Sequence, residues 1–331
     1  MPRVLISSTS FDTACREARN LLLAKGYDLR GNPSGKPLEG EALVCALEEC
    51  VGAIAGLDRF TADVIERCPE LRVISRYGVG LDSVDLDAAT RAGIVVTYTP
   101  GANTQAVADL TIALILACAR RIVEADQFTK AGKWAKIYGR SVWQRTIGIV
   151  GTGAIGRAVA KRLAGFEARL LFSDIAPDLE LARATGGSYV DLRTLLSESD
   201  FVTVHVPLGP KTRGLISAKE LAMMKPSAYL INTARGGVVD EGALCDALRN
   251  RRIAGAALDV FSHEPPAGSE ILACENVITT PHMGSYTYET LSAMGLMAAH
   301  NLIDVLEGRR PEHVANQEVF AGDNRRSPGG A

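Results

Sequence analysis

Three polar side chains with complementary chemistry follow three apolar runs in the second half of the sequence. Arg235 comes after the first run, Glu264 after the second and His282 after the third. In open parallel sheets ligands bind beyond the carboxyl ends of the strands, so the three can converge on one site. A histidine titrates near neutral pH and can move a proton at an alcohol oxygen. A carboxylate beside it would orient its ring, and a guanidinium can hold a substrate carboxylate by two hydrogen bonds. The set predicts oxidation of an alcohol or reduction of a carbonyl next to a carboxylate, with a separate carrier for the hydride.

A glycine-rich turn is the candidate site for that carrier. The apolar run Ile147–Val150 leads directly into Gly151, Gly153 and Gly156, and a helical pattern follows. This is the context of a dinucleotide-binding turn, in which glycines admit the pyrophosphate and the helix N-terminus faces its charge. Asp174 stands 18 residues beyond Gly156, after the next predicted strand. Its carboxylate can accept hydrogen bonds from ribose hydroxyls and would repel a 2′-phosphate, which predicts NAD rather than NADP. Asp174 can also be read as a carboxylate that caps the next helix.

The elements that must position these groups alternate along the chain. The first hundred residues read as short strands alternating with helices, and Pro100 with Gly101 ends that series. A helix is predicted to start at Asn103 or Thr104, a second alternating series follows, and a long helix is predicted near the end. Strands that alternate with helices predict parallel sheets covered on both faces, so the expected fold class is α/β.

Composition limits the other possibilities. The chain has 331 residues, of which 47% are apolar and 22% charged, with a net charge of −2. This predicts a globular protein of two ordinary domains that binds neither nucleic acid nor a membrane surface. The seven cysteines lack the paired spacing of metal sites, so no metal is expected. The first residues do not resemble a signal peptide and the most apolar run is too short to span a bilayer, so we expect a cytoplasmic protein.

Several of these segments together resemble the D-isomer-specific 2-hydroxyacid dehydrogenase family, and its phosphoglycerate dehydrogenase-like branch in particular. The resemblance covers about residues 1–318 and rests on Tyr77–Gly80, Gly151–Gly156, His205–Leu208, Thr233–Gly237, Asp259–Pro265 and Pro281–His282. It implies an NAD-dependent enzyme that transfers a hydride between the cofactor and a small anionic D-2-hydroxy or 2-oxo acid.

The resemblance also implies a role for each site residue. Arg235 would bind the substrate, Glu264 would be the carboxylate partner, and His282 would be the acid–base group. Asp259 would meet the nicotinamide carboxamide. With the glycine turn included, the expected cofactor contacts are Gly151, Gly153, Ala154, Ile155, Gly156, Asp174, His205, Val206, Thr233, Ala234, Asp259 and Gly284.

The domain organisation follows from the same resemblance. Residues 1–99 and 287–318 would form a flavodoxin-like substrate-binding domain, and residues 100–286 an NAD-binding Rossmann domain. The active site would lie in the cleft between these two Rossmann-like domains. Residues 319–331 are expected to be a disordered tail because they are rich in Gly, Pro, Asn and Arg. A homodimer joined through residues 103–145 is also implied.

The identity of the acid is less constrained. The expected substrate contacts are Arg76, Tyr77, Gly78 and Val79, together with Arg235, since backbone amides in residues 77–80 suit a carboxylate. We hypothesise that Arg76 selects acids with a second negative group, although it can also be a solvent-facing arginine at a strand end. The phosphoglycerate branch tends to carry an arginine where this chain has Ala55, which leaves 3-phosphoglycerate as one candidate among several.

Other readings remain open. Hydroxypyruvate, glyoxylate or another 2-oxo acid is an alternative substrate, and a phosphite-type dehydrogenase would keep the same three polar residues. The resemblance to formate dehydrogenase is weaker because that relative carries an amide where Glu264 stands. A non-enzymatic NAD-sensing corepressor would be expected to lose the catalytic set, which this chain retains.

Overall fold

The computed structural model describes residues 1–321 and Arg326, and the chain divides into two compact units. The first unit consists of Met1–Asn103 and the chain from Tyr286 onward, and the second is Thr104–Ser285. The chain passes from one unit to the other after Asn103 and after Ser285.

The first unit is a parallel five-stranded sheet with helices on both faces. Its strands are β1 (Arg3–Ile6), β2 (Asp28–Gly31), β3 (Cys50–Ala55), β4 (Val73–Arg76) and β5 (Val95–Thr97), in the order β2-β1-β3-β4-β5. Its helices are α1 (Phe11–Ala14), α2 (Arg16–Ala24), α3 (Gly40–Leu47), α4 (Ala62–Glu66), α5 (Leu86–Arg91) and the long α13 (Tyr288–Leu306).

Both faces of this first sheet are buried. Along β1, Val4 packs with α13 residues such as Leu302, whereas Leu5 packs on the opposite side with residues such as Leu43 of α3. Side chains alternate between the faces of a strand, so a strand covered on both sides must be apolar throughout. At Gly52 an added Cβ would lie 3.2 Å from Leu302, which shows how closely α13 approaches the sheet.

The second unit is a parallel seven-stranded sheet. Its strands are β6 (Thr146–Val150), β7 (Arg169–Ser173), β8 (Ser188–Tyr189), β9 (Phe201–Val204), β10 (Tyr229–Asn232), β11 (Gly255–Leu258) and β12 (Val277–Thr279), in the order β12-β11-β10-β9-β6-β7-β8. Its helices are α6 (Thr104–Arg120), α7 (Ile122–Lys130), α8 (Ala154–Ala164), α9 (Leu179–Thr185), α10 (Leu192–Glu198), α11 (Ala218–Leu221) and α12 (Glu241–Arg249). Single 3₁₀ turns occur at Gly236–Val238 and Glu270–Ala273, and in the first unit at Gln317–Phe320.

Local sequence signals fix the starts of many helices. A side-chain oxygen accepts the backbone N–H three residues later at Thr61, Asp85, Asp178, Asp191, Asp240 and Thr287. Each such cap stabilises its helix by about 1 kcal/mol. Each cap lies where the connection from a strand to the next helix ends. The caps therefore also mark the ends of loops that carry the site.

The predicted fold class is confirmed, since both units are parallel sheets flanked by helices in the Rossmann-like manner. The prediction of a disordered tail from residue 319 is wrong for its first two residues. Val319 is buried and Phe320 completes a 3₁₀ turn, because Val319 packs against Val95 and Val314. Residues 322–325 and 327–331 of that predicted tail lie outside the described residues.

Candidate active site

The glycine-rich turn between β6 and α8 has no room for side chains at two of its glycines. Gly151 has a φ of +90°, and a Cβ there would lie 2.8 Å from the carbonyl carbon of His205. A Cβ on Gly156 would lie 2.0 Å from the carbonyl oxygen of Gly151. At Gly153 the same position is open. The backbone at Gly153 and Ala154 is therefore accessible to a ligand, at the helix end where unpaired N–H groups favour negative charge.

A cavity of about 500 Å³ opens at this turn. It is lined by Thr104, Gln105, Thr152, Gly153, Ala154, Arg157, Ala158, Lys161 and Arg162. The start of α8 and the ammonium group of Lys161 favour phosphate groups here, whereas Arg157 and Arg162 pair with Asp178 and Asp109.

Asp174 lies at the end of β7, beside the same turn. One oxygen of its carboxylate accepts hydrogen bonds from the N–H of Thr152 at 2.6 Å and from its hydroxyl at 3.1 Å. The other accepts the N–H of Ala176 at 2.9 Å. Burial alone would raise the pKa of Asp174, but these hydrogen bonds outweigh it and hold the pKa below its usual value. The side chain is therefore ionised at neutral pH, and the oxygen that accepts the N–H of Ala176 keeps acceptor capacity for a ribose hydroxyl.

His205 is half-buried behind the glycine turn, with its Nδ1 atom fully buried. Its Nε2 lies 2.9 Å from the hydroxyl of Thr203, whereas its Nδ1 has no hydrogen-bond partner within the part of the chain that the structure describes. Burial lowers the pKa of His205 to about 3. The imidazole is neutral at any physiological pH, so it is suited to contact a ligand and not to exchange protons with one.

The predicted acid–base pair is in direct contact. Nδ1 of His282 lies 2.6 Å from Oε2 of Glu264, whose other oxygen accepts the N–H of Phe261 at 2.9 Å. The side chains are 32% and 25% exposed. Burial would raise the pKa of Glu264, but the hydrogen bond and charge of His282, the N–H of Phe261 and the charge of Arg235 lower it below its ordinary value. An ionised Glu264 makes Nδ1 the donor, which leaves Nε2 of His282 as the atom that can exchange a proton.

Asp259 holds the main chain that carries His282. This buried carboxylate accepts hydrogen bonds from the hydroxyl of Thr280 at 2.6 Å and from the N–H groups of Met283 at 2.8 Å and Gly284 at 2.9 Å. His282 itself adopts a φ of +53° and donates its N–H to the carbonyl of Asp259 at 2.8 Å. The imidazole is therefore positioned by the ends of two adjacent strands, β11 and β12.

Arg235 extends from the loop after β10, and its backbone is fixed by Asn232. The Asn232 amide donates to the carbonyl of Arg235 at 2.9 Å and accepts the N–H of Ala234 at 3.0 Å. A Cβ on Gly236 would lie 1.9 Å from the carbonyl carbon of Phe261, so this loop lies directly on the one that leads to Glu264. The structure thus brings Arg235, Glu264 and His282 into one neighbourhood of the second unit.

Comparison with known proteins identifies the family of this chain. The family model for the D-isomer specific 2-hydroxyacid dehydrogenase NAD binding domain matches residues 112–284. A glyoxylate reductase from Thermococcus litoralis is 43% identical over 302 residues, which is 88% of this chain and 90% of the relative. This chain belongs to the D-isomer specific 2-hydroxyacid dehydrogenase family. Another glyoxylate reductase, from Aeropyrum pernix, is 40% identical and spans 96% of this chain and 97% of its own length.

Solved structures of the family resemble the whole chain. The apo form of D-lactate dehydrogenase from Escherichia coli aligns with a TM-score of 0.84 at 29% identity, covering 95% of this chain and 100% of its own. A glyoxylate reductase from Paecilomyes thermophila aligns with a TM-score of 0.83 at 28% identity, covering 96% and 99%. The chain is therefore an NAD-dependent 2-hydroxyacid dehydrogenase, as the sequence predicted. The phosphoglycerate branch is not singled out by these relatives.

The residues of this dehydrogenase fit NAD. The glycine turn leaves an open backbone at the start of α8, Asp174 stands ready for the ribose, and Nδ1 of His205 is a buried polar atom without a partner among the described residues. Val206 lies beside the turn, since its Cγ1 would be 2.8 Å from a Cβ on Gly151. Thr233 is fixed by a 2.9 Å hydrogen bond between its hydroxyl and that of Thr111 on α6.

The predicted substrate contacts of the first unit lie at the end of β4. Arg76 is only 4% exposed, and its guanidinium donates to the carbonyl oxygens of Gly80 at 3.1 Å and Ala55 at 3.2 Å. The side chain of Tyr77 points into the core, where its hydroxyl donates to the carbonyl of Leu291 at 3.2 Å. Gly78 and Val79 keep their backbones at the surface.

Two residues beside the predicted ribose-binding carboxylate, Thr152 and Ile175, were not identified from the sequence. Thr152 bonds Asp174, and Ile175 is fully exposed beside it, where an apolar side chain can cover a flat ring. Their position next to the predicted ribose-binding residue is the signal that was available. No helix among the described residues is long and apolar enough to cross a membrane. Within the same residues, no group of three or more His, Cys, Asp or Glu side chains is placed to hold a metal ion.

Proposed function

We propose that this enzyme reduces glyoxylate, or a 2-oxo acid of similar size, with NADH. The observation that carries the chemistry is the 2.6 Å contact between Glu264 and His282 with Arg235 beside it. The substrate is supported by the relatives from Thermococcus litoralis and Aeropyrum pernix, both of which are named glyoxylate reductase. In this proposal the site residues keep the roles that the family resemblance implies.

The mechanism follows from what each side chain can do. Bound NADH supplies the hydride that reaches the carbonyl carbon. Arg235 holds the 2-oxo acid and polarises the carbonyl oxygen, on which negative charge develops. His282 then gives that oxygen the proton from Nε2, while Glu264 holds Nδ1–H and stabilises the imidazolium from which the proton leaves. Oxidation of the hydroxy acid is the reverse, with neutral His282 as the base.

The carboxylate of the acid has a fitting site in the first unit. The backbone N–H groups of Gly78, Val79, Gly80 and Leu81 donate no hydrogen bond to any residue that the structure describes. Consecutive unpaired N–H groups of this kind form anion sites. The proposed substrate contacts are therefore backbone amides, and the small size of glyoxylate is compatible with Ala55, which offers no charge for a phosphate.

An activity assay tests the substrate. NADH oxidation should be followed with glyoxylate, hydroxypyruvate, pyruvate, oxaloacetate and 3-phosphohydroxypyruvate, and NADPH should be compared in parallel. We expect the highest kcat/KM with glyoxylate and NADH. A clear preference for the phosphorylated acid would refute this proposal and favour the phosphoglycerate dehydrogenase reading.

We further propose a homodimer and a cytoplasmic location. Large apolar side chains are exposed in the segment after α6, among them Trp134 at 92%, Tyr138 at 78% and Trp143 at 55%. Such a cluster is a usual mark of an interface, and a second copy is the occupant that the family resemblance implies. None of the seven cysteines is in a disulfide, which fits a reducing compartment. Light scattering during size-exclusion chromatography should give the dimer mass, and a monomer mass would refute the proposed homodimer.

A further inference from the structure

The buried guanidinium of Arg76 bridges two points of the main chain around the surface loop 77–81. Its Nη1 donates to the carbonyl of Ala55 at the end of β3, and that oxygen also accepts the N–H of Tyr77 at 2.9 Å. Its Nε donates to the carbonyl of Gly80, near the far end of the loop. One side chain thus joins the end of the sheet to the end of the loop.

The loop is held at two further points. The Tyr77 side chain is anchored in the core, edge-on to Phe11 with ring centres 5.7 Å apart. The carbonyl of Gly78 accepts the N–H of Thr99 at 3.1 Å. The carbonyls of Gly78 and Gly80 are therefore fixed, whereas the N–H groups of residues 78–81 have no partner among the described residues.

Fixing a carbonyl also fixes the N–H of the same peptide. A trans peptide unit is planar, so its C=O and N–H point in opposite directions. The bond from Thr99 to the Gly78 carbonyl therefore sets the direction of the Val79 N–H. In the same way, the bond from Arg76 to the Gly80 carbonyl sets the direction of the Leu81 N–H.

We propose that Arg76 is a positioning residue, which fixes the end of the loop 77–81, and with it the Leu81 amide, for binding the substrate carboxylate and does not itself contact the substrate. This inference rests on the proposed function, because it assigns the loop to the carboxylate that every 2-oxo acid carries. It differs from the hypothesis that Arg76 selects acids with a second negative group. A positioning role affects acids with one and with two negative groups equally, whereas direct contact favours the second class.

The test compares these two classes in Arg76→Met, which removes the donors and keeps an apolar stem. We expect the KM for glyoxylate to rise about tenfold, in line with the loss of a charge-assisted hydrogen bond. The KM, or the inhibition constant, of the doubly charged oxaloacetate should rise by the same factor. The KM for NADH should stay within about twofold, because the cofactor residues lie in the other unit. Arg67→Met is the matched control, since Arg67 is 42% exposed and pairs with Glu41 at the surface of the same unit.

Two more variants distinguish the effect of the two hydrogen bonds to the loop and the sheet from the effect of the positive charge. They also keep the test valid if one variant fails to fold. Arg76→Lys keeps the positive charge, but its single ammonium cannot serve both carbonyls as the guanidinium fork does. We expect an intermediate KM for both acids. In Arg76→Ala, added guanidinium ion should lower the KM for glyoxylate toward the wild-type value, with melting curves confirming that each variant is folded.

Three results would overturn the inference. An effect confined to oxaloacetate would show direct contact with a second anionic group, and unchanged KM values in folded Arg76→Met would show that the loop needs no brace. Full recovery in Arg76→Lys would show that only the charge matters. Failure of the wild-type enzyme to reduce glyoxylate is a different outcome, since it refutes the proposed substrate. The variants would then be measured with the acid that the panel identifies.

Discussion

Replacement of Glu264 by Gln tests whether the carboxylate controls the proton on His282. Glutamine keeps the shape of the side chain but removes the charge that stabilises the imidazolium. Reduction needs His282 protonated, so the alkaline decline of kcat/KM for reduction should begin at a lower pH in the variant. Oxidation needs the neutral ring, so kcat/KM for oxidation should be higher in the variant than in the wild type at the acid side of the pH profile.

The size of the shift follows from the geometry. Unit charges about 4 Å apart attract by about 4 kcal/mol at an effective dielectric constant near 20, whereas exposed pairs contribute less than about 1 kcal/mol. The two side chains are 32% and 25% exposed and in contact at 2.6 Å, so their interaction lies between these limits. At about 1.4 kcal/mol for each pH unit, we expect a shift of about one pH unit. The maximal rate should also fall about tenfold, because the amide orients the ring less well.

The assay is the initial rate of NADH oxidation over the pH range in which both proteins stay folded. Glu270→Gln is a suitable control, since Glu270 pairs with Arg249 at the surface and is 73% exposed. A lower rate with an unmoved pH profile would refute the reasoning, because Glu264 would then orient the ring without affecting its charge.

Glu264 also makes a prediction for stability. Its pKa is lowered in the folded protein, so its contribution to folding is present above the pKa of the unfolded chain and is lost as the pH falls through the folded pKa. The difference in melting temperature between wild type and Glu264→Gln should therefore be largest near neutral pH and shrink in acid.

Three other substitutions test the remaining roles. His282→Ala should lower kcat by about 10²–10⁴-fold while NADH binding is retained, which fluorescence titration with NADH would measure. Loss of NADH binding in this variant would contradict the assignment of His282 as the acid–base group. Asp174→Ala removes the group that accepts ribose hydroxyls and repels a 2′-phosphate, so the ratio of kcat/KM for NADPH to that for NADH should rise about tenfold or more. An unchanged ratio would place the ribose elsewhere. In the wild type, a carboxylate accepts hydrogen bonds from N–H groups of the His282 loop, and Asp259→Asn places an amide there instead. We expect kcat to fall about tenfold. Wild-type kinetics in this variant would show that other contacts hold the His282 loop.

Much of the architecture could be predicted because both sheets are covered on both faces. A buried parallel strand is apolar at most positions, so runs such as Ile147–Val150 stand out from the helices between them. The strand β2 (Asp28–Gly31) was not identified, because it is a polar edge strand with no buried residue. The helices α1 (Phe11–Ala14) and α2 (Arg16–Ala24) are separated at Cys15, whose thiol contacts the hydroxyl of Tyr77 and the carbonyl of Leu291. Contacts with residues so distant in sequence leave no local pattern.

The site residues also divide into those that a local sequence pattern reveals and those that it does not. Residue type and position after a strand were enough to single out Arg235, Glu264 and His282. They did not reveal that Arg76 is turned inward onto the carbonyls of Ala55 and Gly80, because an arginine at a strand end reads alike whether it faces solvent or the main chain. That distinction depends on three-dimensional packing alone.

The segment that carries His282 is built at a cost to stability. A non-glycine residue with a φ of +53° is strained by about 1–2 kcal/mol. Burial raises the pKa of Asp259 despite hydrogen bonds from Thr280, Met283 and Gly284. A carboxyl whose pKa is raised by folding stabilises the protein below its unfolded pKa, and this contribution is lost as the pH rises through the folded value. Ionisation of Asp259 is therefore less favourable in the folded protein than in the unfolded chain. Strained backbone of this kind is common at functional sites, so we propose that this turn serves the proton transfer assigned to His282 and that the rest of the second unit supplies the stability to keep it.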